Sequence, residues 1–557
     1  MYVGACLDRF TDKVLIAERL PNGKRITNSV RPIYEFYVED PDGDYDGYDG
    51  KSVKKIQCEN SRDFWSMKRK YDGQRTYEMN FNIVQKCLYK YYKNAELPIL
   101  HKSYMDIEVD LTSRPGIQIN DLILEACCPI NAISIYNNWE QTLQTFTLKP
   151  PSISNEEAKQ IISEFDNTIL CENEQELLAR IIIAFEDADV ITGWNSNGFD
   201  IPYIIRRIEK VLGEGESKRI CLWDKEPIAR EYNEYGKDKV EYTLIGKWSA
   251  DYLLLYKKHT QGEHDSYKLD NIAYEELGER KVAYEGTLDE LYYNDYKKFL
   301  DYNRQDTMLI VRLDDKLNYI NIHNKQAHQI PCLFETTMGT VGWFDQMVIN
   351  KAHENNKVVP DKENKMNPMF IDVKAPGAFV QDPTIGLQEW IGCTDLNSLY
   401  PSTIRCLNMS PETFVAQVQL NETIPYLRRK AEENNLWKKK SEGIIDWGAA
   451  WGGDELFGTL EYQHIMKQTD DIVELVFANG TRVHKTAKEI YDIVFNDNSN
   501  LCISAFGTIF RTDKQGLVAG ILSDWYAERK AYKKRKYEYE CLGNGLSISN
   551  ELAELLK

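Results

Sequence analysis

From residue 101 to about residue 320, short strand-like segments alternate with long amphipathic helical patterns. That alternation restricts the region to an α/β domain around a mixed sheet, because each helix must bury its apolar stripe against a sheet face. The helical pattern that begins at Asp200 places Ile201, Ile204, Ile205, Ile208, Val211 and Leu212 on one face. The chain has 557 residues, well past the ~250–300 at which a single core stops growing. About three to five domains are therefore expected. A multidomain α/β and α+β chain is predicted, with boundaries at 1–100, 101–318, 319–366, 367–517 and 518–557. Strands are expected at Val14–Glu18 and Ile33–Val38 in the first, α+β domain. Residues 40–51 are rich in Asp and Gly but lack the twelfth-position Glu of a calcium loop, so a solvated turn is expected there. Residues 431–505 give no pattern that can be placed. A basic helix over about 518–540, a break at Gly543–Gly545 and a short helical end at Asn550–Lys557 complete the chain.

The net charge of −19 excludes a coat-like basic binder. It does not exclude an enzyme that meets phosphate through a local basic track. Twelve cysteines include no C-x-x-C pair, which argues against a zinc ribbon and for a reducing compartment. No apolar stretch reaches the ~18 residues needed to span a bilayer. Met1–Arg9 lacks a signal pattern. A soluble intracellular chain with no membrane partner is expected.

Three separate segments carry acids. In Tyr104-Met-Asp-Ile-Glu-Val109, Asp106 and Glu108 are i and i+2 on a strand and point the same way. Two such carboxylates repel each other unless a cation lies between them; taken alone, they also fit an ordinary solvated edge strand. In the second segment a strand at Val190–Thr192 runs into the turn Gly193-Trp-Asn-Ser-Asn-Gly-Phe199, and Asp200 opens the helix that follows. Asp is also a favoured helix cap, but capping does not explain Trp194, Asn195 and Phe199 beside it. The third segment is helical and sets Tyr302 and Asp306 at i and i+4, on one face.

This ordered set resembles the 3′–5′ proofreading exonucleases of the DnaQ-like, RNase H-like type. They carry Asp-x-Glu on a strand, a second Asp after an Asn-rich turn, and Tyr-x-x-x-Asp on a later helix. The resemblance implies that Asp106, Glu108, Asp200 and Asp306 hold two Mg2+ ions, with Mn2+ as a substitute, and that Tyr302 orients the attacking water. Met105 stands where Phe is more usual.

Thr394-Asp-Leu-Asn-Ser-Leu-Tyr-Pro-Ser-Thr-Ile404 follows an apolar run, expected as a strand, and leads toward a helix. It resembles motif A of the family B DNA polymerases. That resemblance implies metal binding by Asp395 and by the carbonyl of Leu396. It also implies a triphosphate cradle around Ser398 and Leu399, and a Tyr400 ring that leaves no room for a 2′-hydroxyl. Six basic residues fall within 529–536, which resembles the fingers helix of the same family. That resemblance implies that Arg529 and Lys533 grip the incoming deoxynucleoside triphosphate. The resemblance runs from an N-terminal domain through an RNase H-like exonuclease into a partial palm and partial fingers, with 319–366 returning to the N-terminal domain. It is strongest to the replicative polymerases of T-even-type bacteriophages, which implies a phage protein working on a DNA primer-template in the host cell cytoplasm. A strand pair near Tyr232–Lys247 resembles the family's exonuclease hairpin. The linker element survives only as Lys374-Ala-Pro-Gly-Ala378, without its Tyr.

No second fingers helix, Asp-Thr-Asp hairpin or thumb follows the basic helix. The expectation is an N-terminal part of a split polymerase, with a second chain supplying the rest and any sliding-clamp contact. The alternatives are a stand-alone 3′–5′ exonuclease and a non-catalytic nucleic-acid-binding remnant. Retention of Asp395, Tyr400, Arg529 and Lys533 argues against the first alternative, and the intact acids with Tyr302 argue against the second.

Overall fold

The computed structural model describes residues 1–361 except 235, 261 and 263, residues 384–420 except 397, a few positions between 432 and 445, and residues 465–545 except 505 and 506. The linker element at Lys374–Ala378, most of 431–464 and the helical end expected at Asn550–Lys557 lie outside the described residues. The chain divides into two units, one of residues 1–35, 57–70 and 80–350, the other of residues 36–56, 71–79 and 351–557.

In the first unit, strand Lys102–Val109 lies inside a six-stranded mixed sheet. It pairs antiparallel with Ile130–Asn137 and parallel with Val190–Gly193. Thr142–Thr147 and Thr168–Leu170 extend the sheet on one side, and Trp248–Asp251 on the other. Side-chain alternation along Lys102–Val109 then decides the faces. Met105 and Ile107 join a core with Ile133, Ile135, Ile181, Ile204 and Ile205, the last three from helices Glu174–Phe185 and Asp200–Val211. Tyr104 points the other way, into a core with Leu309 and Ile310 of helix Tyr296–Leu317. Asp106 and Glu108 share the parity of Tyr104, so they face that long helix. A three-stranded antiparallel meander, Tyr2–Asp8, Lys13–Arg19 and Arg25–Val30, opens the unit. Strands Ile228–Glu234 and Lys237–Thr243 form the antiparallel pair expected near Tyr232.

In the second unit, one five-stranded sheet runs in the order Lys357–Val358, Tyr45–Gly47, Ser52–Gln57, Glu35–Glu39, Thr76–Tyr77. A second runs Arg482–Thr486, Ile472–Phe477, Phe414–Leu420, Thr508–Arg511, Leu501–Ile503. Helices Leu399–Cys406 and Leu517–Gly545 belong to this unit.

Several local expectations change. Residues 1–100 divide between the two units, because Tyr45–Gly47 pairs with Lys357–Val358 from far along the chain. The Asp/Gly-rich segment expected as a turn contributes that strand. The unplaced segment 431–505 contains an antiparallel strand pair and helix Ala487–Val494, which starts at a capping box of Thr486 and Glu489. The last helix continues through Gly543 to Gly545; an isolated glycine costs a helix only ~1 kcal/mol. The apolar run before Asp395 forms no strand: residues 390–395 carry no regular structure, and Trp390 is 99% exposed. A strand persists only beside a partner that takes its backbone hydrogen bonds, and none of the described strands pairs with it. No helix among the described residues is long and apolar enough to cross a membrane.

Ile204 is fully buried between its helix and the sheet. Ile204→Ala is expected to lower the unfolding free energy by ~2–5 kcal/mol in urea denaturation. A loss of under about 1 kcal/mol, the size of a surface change, would contradict that seating.

Candidate active site

Helix Tyr296–Leu317 lies on the face of the sheet to which Asp106 and Glu108 point. It brings Asp306 against both, so that one carboxylate oxygen of each of the three residues lies within 4.8 Å of the others. Asp200 is not in that tight group. It opens helix Asp200–Val211, and its Oδ1 accepts the Ile107 N–H, between the two strand acids, at 3.3 Å. The site therefore forms where strands Lys102–Val109 and Val190–Gly193, which run parallel, reach their C-terminal ends. That is where open α/β sheets hold their ligands.

The turn that delivers Asp200 is tightly fixed. Asn195 is left-handed at φ +64°. A Cβ on Gly198 would lie 2.7 Å from Asn195 Oδ1, so a larger residue there would have to displace the Asn195 side chain. Asp251, at the end of the neighbouring strand, accepts the backbone N–H of Asn195 and of Asn197, both at 3.1 Å. It also caps helix Tyr252–His259 by accepting from Leu253 at 3.0 Å. Trp194 Nε1 donates to the Tyr267 carbonyl at 3.1 Å.

Electrostatics defines what the cluster lacks. Two unit charges ~5 Å apart repel by ~3–4 kcal/mol at an effective dielectric of ~20. Burial, then Asp306 and Asp200, hold the Asp106 carboxyl well above its ordinary value. Burial, then Asp106 and Asp306, do the same to Glu108. Burial raises Asp306 against the pull of Lys281. Burial pushes Asp200 up to about 7, outweighing the Ile107 amide. One ammonium answers these acids: Lys281 Nζ contacts Asp306 Oδ2 and donates to the Tyr302 hydroxyl at 3.0 Å. Burial alone would lower Lys281, but Asp306 and Asp106 outweigh it and hold it raised. With one lysine facing four acids, ionising all four would leave three negative charges uncompensated. Asp306 Oδ1 is buried with no hydrogen-bond partner among the described residues. Hard oxygen donors, excess negative charge and an orphaned oxygen fit divalent cations of the Mg2+ type.

The second predicted constellation is open. Asp395, Leu396, Leu399 and Tyr400 are exposed. Ser398 is left-handed at φ +53° and precedes helix Leu399–Cys406. The structure brings Arg529 to this loop, its Nη1 donating to Ser398 Oγ at 3.2 Å. Lys533, one turn further along helix Leu517–Gly545, faces solvent. Among the contacts that seat this helix, the Arg405 guanidinium lies 3.9 Å from the Tyr526 ring centroid, Asn408 Oδ1 accepts the Gly516 N–H at 2.8 Å, and Ser410 Oγ accepts the Val518 N–H at 2.8 Å.

Sequence reasoning missed Lys281, Asp251 and Asn303. Lys281 is 21 residues from Tyr302, in a segment without periodicity, so no local signal marks it. Asp251 carried one, a single Asp between a strand and a helix. Asn303 lies next to Tyr302 on the same helix.

Residues 61–272 match the model for the exonuclease domain of DNA polymerase family B, and residues 337–447 match the model for DNA polymerase family B. The first match includes Asp106, Glu108 and Asp200 but ends before Lys281, Tyr302 and Asp306; the second includes Asp395 to Tyr400 but not Arg529 or Lys533. Fold and matches define a mixed α/β multidomain chain with an exonuclease domain and part of a polymerase domain of the family B type. The two matches fall on separate stretches of the sequence, one on each side of residues 273–336. It is 28% identical over 347 residues to the DNA-directed DNA polymerase of Escherichia phage RB69, covering 59% of this chain and 37% of that protein. The DNA-directed DNA polymerase of Enterobacteria phage T4 is 29% identical over 286 residues, 49% of this chain and 31% of that protein. The DNA polymerase delta catalytic subunit of Caenorhabditis elegans is 27% identical over 297 residues, 50% of this chain and 27% of that protein. The chain thus spans about a third of the length of the phage relatives it matches.

A carboxyl with a folded pKa above its unfolded one binds its proton more tightly when folded. Its stabilisation is present at low pH and is lost as pH rises through the folded value. For Asp200 the window runs from its ordinary 3.8 to about 7. In chelator, the melting temperature of the wild type relative to Asp200→Asn is therefore expected to fall across that window, and Mg2+ to reverse the fall. A difference independent of both pH and Mg2+, measured by differential scanning fluorimetry, would contradict the placement of Asp200.

Proposed function

We propose that this chain is a proofreading 3′–5′ exodeoxyribonuclease joined to the nucleotide-binding half of a replicative polymerase. The observation that carries the reading is the convergence of Asp106, Glu108 and Asp306 within 4.8 Å, with Asp200 docked on the amide between the first two. Asp106, Glu108, Asp200 and Asp306 would hold two divalent ions, Mg2+ or Mn2+. Bound there, such ions acidify a water and stabilise a leaving 3′ oxygen. The chain's own residues do the rest. The Lys281 ammonium fixes the Tyr302 hydroxyl, and that hydroxyl orients the water that attacks the terminal phosphodiester of DNA. Lys281 also pulls against the burial that raises the Asp306 carboxyl, favouring its charged form.

In the polymerase half, Asp395 and the Leu396 carbonyl would bind metal. Ser398, Leu399, Arg529 and Lys533 would cradle a deoxynucleoside triphosphate, and Tyr400 would reject a 2′-hydroxyl. The Arg529–Ser398 contact at 3.2 Å supports this grouping. Primer extension needs a second palm carboxylate, and no Asp-Thr-Asp occurs in this sequence after Lys533. We therefore read polymerisation as the work of these residues together with a further polypeptide segment carrying the remaining fingers, palm and thumb, and with it any sliding-clamp contact. A second chain is the form this reading takes.

With Mg2+, the purified chain should shorten single-stranded DNA from its 3′ end, and Asp106→Ala should abolish this. Lys281→Ala should lower kcat by ~10²-fold or more, the usual worth of a positioned proton-handling group. Shortening unchanged in Asp106→Ala would overturn the assignment. Complementation is the second check. Mixing with a fingers–palm–thumb chain should restore primer extension that Asp395→Ala removes, and failure to extend would defeat the two-part polymerase reading.

A further inference from the structure

Asn303 has no part in the scheme above, yet it touches one of its acids. It is fully buried in helix Tyr296–Leu317, next to Tyr302 and one turn before Asp306. Its Nδ2 donates twice to a single residue, to the Asp106 carbonyl at 3.0 Å and to Asp106 Oδ2 at 3.1 Å. Both partners are acceptors, so the amide orientation is forced: a flipped carboxamide would set oxygen against oxygen. Asn303 Oδ1 is buried and has no partner among the described residues.

We propose that Asn303 is a positioning residue for metal binding, resting on the reading of the four acids as a metal site. By bridging the backbone and the side chain of Asp106, its amide locks the carboxylate rotamer. Oδ2 is committed to the helix, and Oδ1 has no donor among the described residues and is available to a cation. The choice of an amide follows from charge. A lysine here would fix Asp106 equally well but would cancel the charge that attracts the ion. An aspartate would have no proton to donate. Asn303 orients the ligand without competing for its charge, the role that outer partners of metal ligands commonly play. Its orphaned Oδ1 suits a metal-bound water, which would supply the hydrogen bond that the protein does not.

The test uses the full chain with Mn2+ as the probe. Binding is followed by the loss of the free-ion electron paramagnetic resonance signal, alongside 3′-end shortening of single-stranded DNA. Asn303→Ala removes the donor and leaves a cavity; Asn303→Leu removes the donor but keeps the volume. Both are expected to raise the half-saturating Mn2+ concentration about 10–100-fold. Excess Mn2+ should restore most of kcat in both, with the KM for DNA moving less than about twofold. A loss confined to Asn303→Ala, with Asn303→Leu binding as the wild type does, would assign Asn303 to packing and overturn the proposal. Wild-type Mn2+ affinity in both variants would also overturn it while leaving the metal-site reading intact. A wild-type chain that takes up no Mn2+ would remove that reading, and this proposal with it.

Discussion

Mutual repulsion among buried carboxylates is the constraint around which the first unit is organised. Asp106, Glu108 and Asp306 are brought together by the elements that carry them, and Asp200 is held just beside them. Nothing local favours that arrangement. It persists because the sheet and its two layers of helices bury enough isoleucine, leucine and aromatic surface to hold the acids where they would not otherwise stay. The long helix Tyr296–Leu317 is the critical element, since it supplies the core residues Leu309 and Ile310 as well as Tyr302, Asn303 and Asp306. The same packing that stabilises the domain sets the charge deficit that a divalent ion would relieve.

The two predicted sites differ in how firmly their residues are held. In the exonuclease site each acid comes from a regular element, and the intervening turn is fastened by the Asp251 carboxylate to two backbone amides. In the second constellation, Asp395 and Tyr400 lie on exposed chain, and the Arg529–Ser398 contact links the loop to the basic helix. A buried cluster fixes its own geometry before any ligand arrives. An exposed loop with one carboxylate takes its geometry from what it later pairs with.

Much of this was legible in the sequence, for particular reasons. Asp106 and Glu108 could be paired because strand periodicity is strict. Tyr302 and Asp306 could be paired because i and i+4 positions share a helix face. The isoleucine stripe after Asp200 is indeed the buried face of its helix. The expected strand before Asp395 failed for a complementary reason: apolar composition shows that a segment seeks a partner, not that one is present. Segment 431–505 held a strand pair and a helix; the helix was marked in the sequence by the Thr486-x-x-Glu489 cap and by Ala487, Ile490 and Val494 at helical spacing, signals that sequence reasoning passed over.

The sequence by itself determined which residues could form strands and helices, which acids share a side, and the order in which the acidic segments occur. Those are local properties, set by backbone period and side-chain chemistry over a few residues. Only the tertiary structure decided that Lys281 reaches Asp306, that Asp251 fastens the turn before Asp200, and that Asn303 clamps Asp106. Each of those contacts joins elements 25 to 197 residues apart. They are fixed by how two faces of one sheet are covered, a global packing choice that no local pattern encodes.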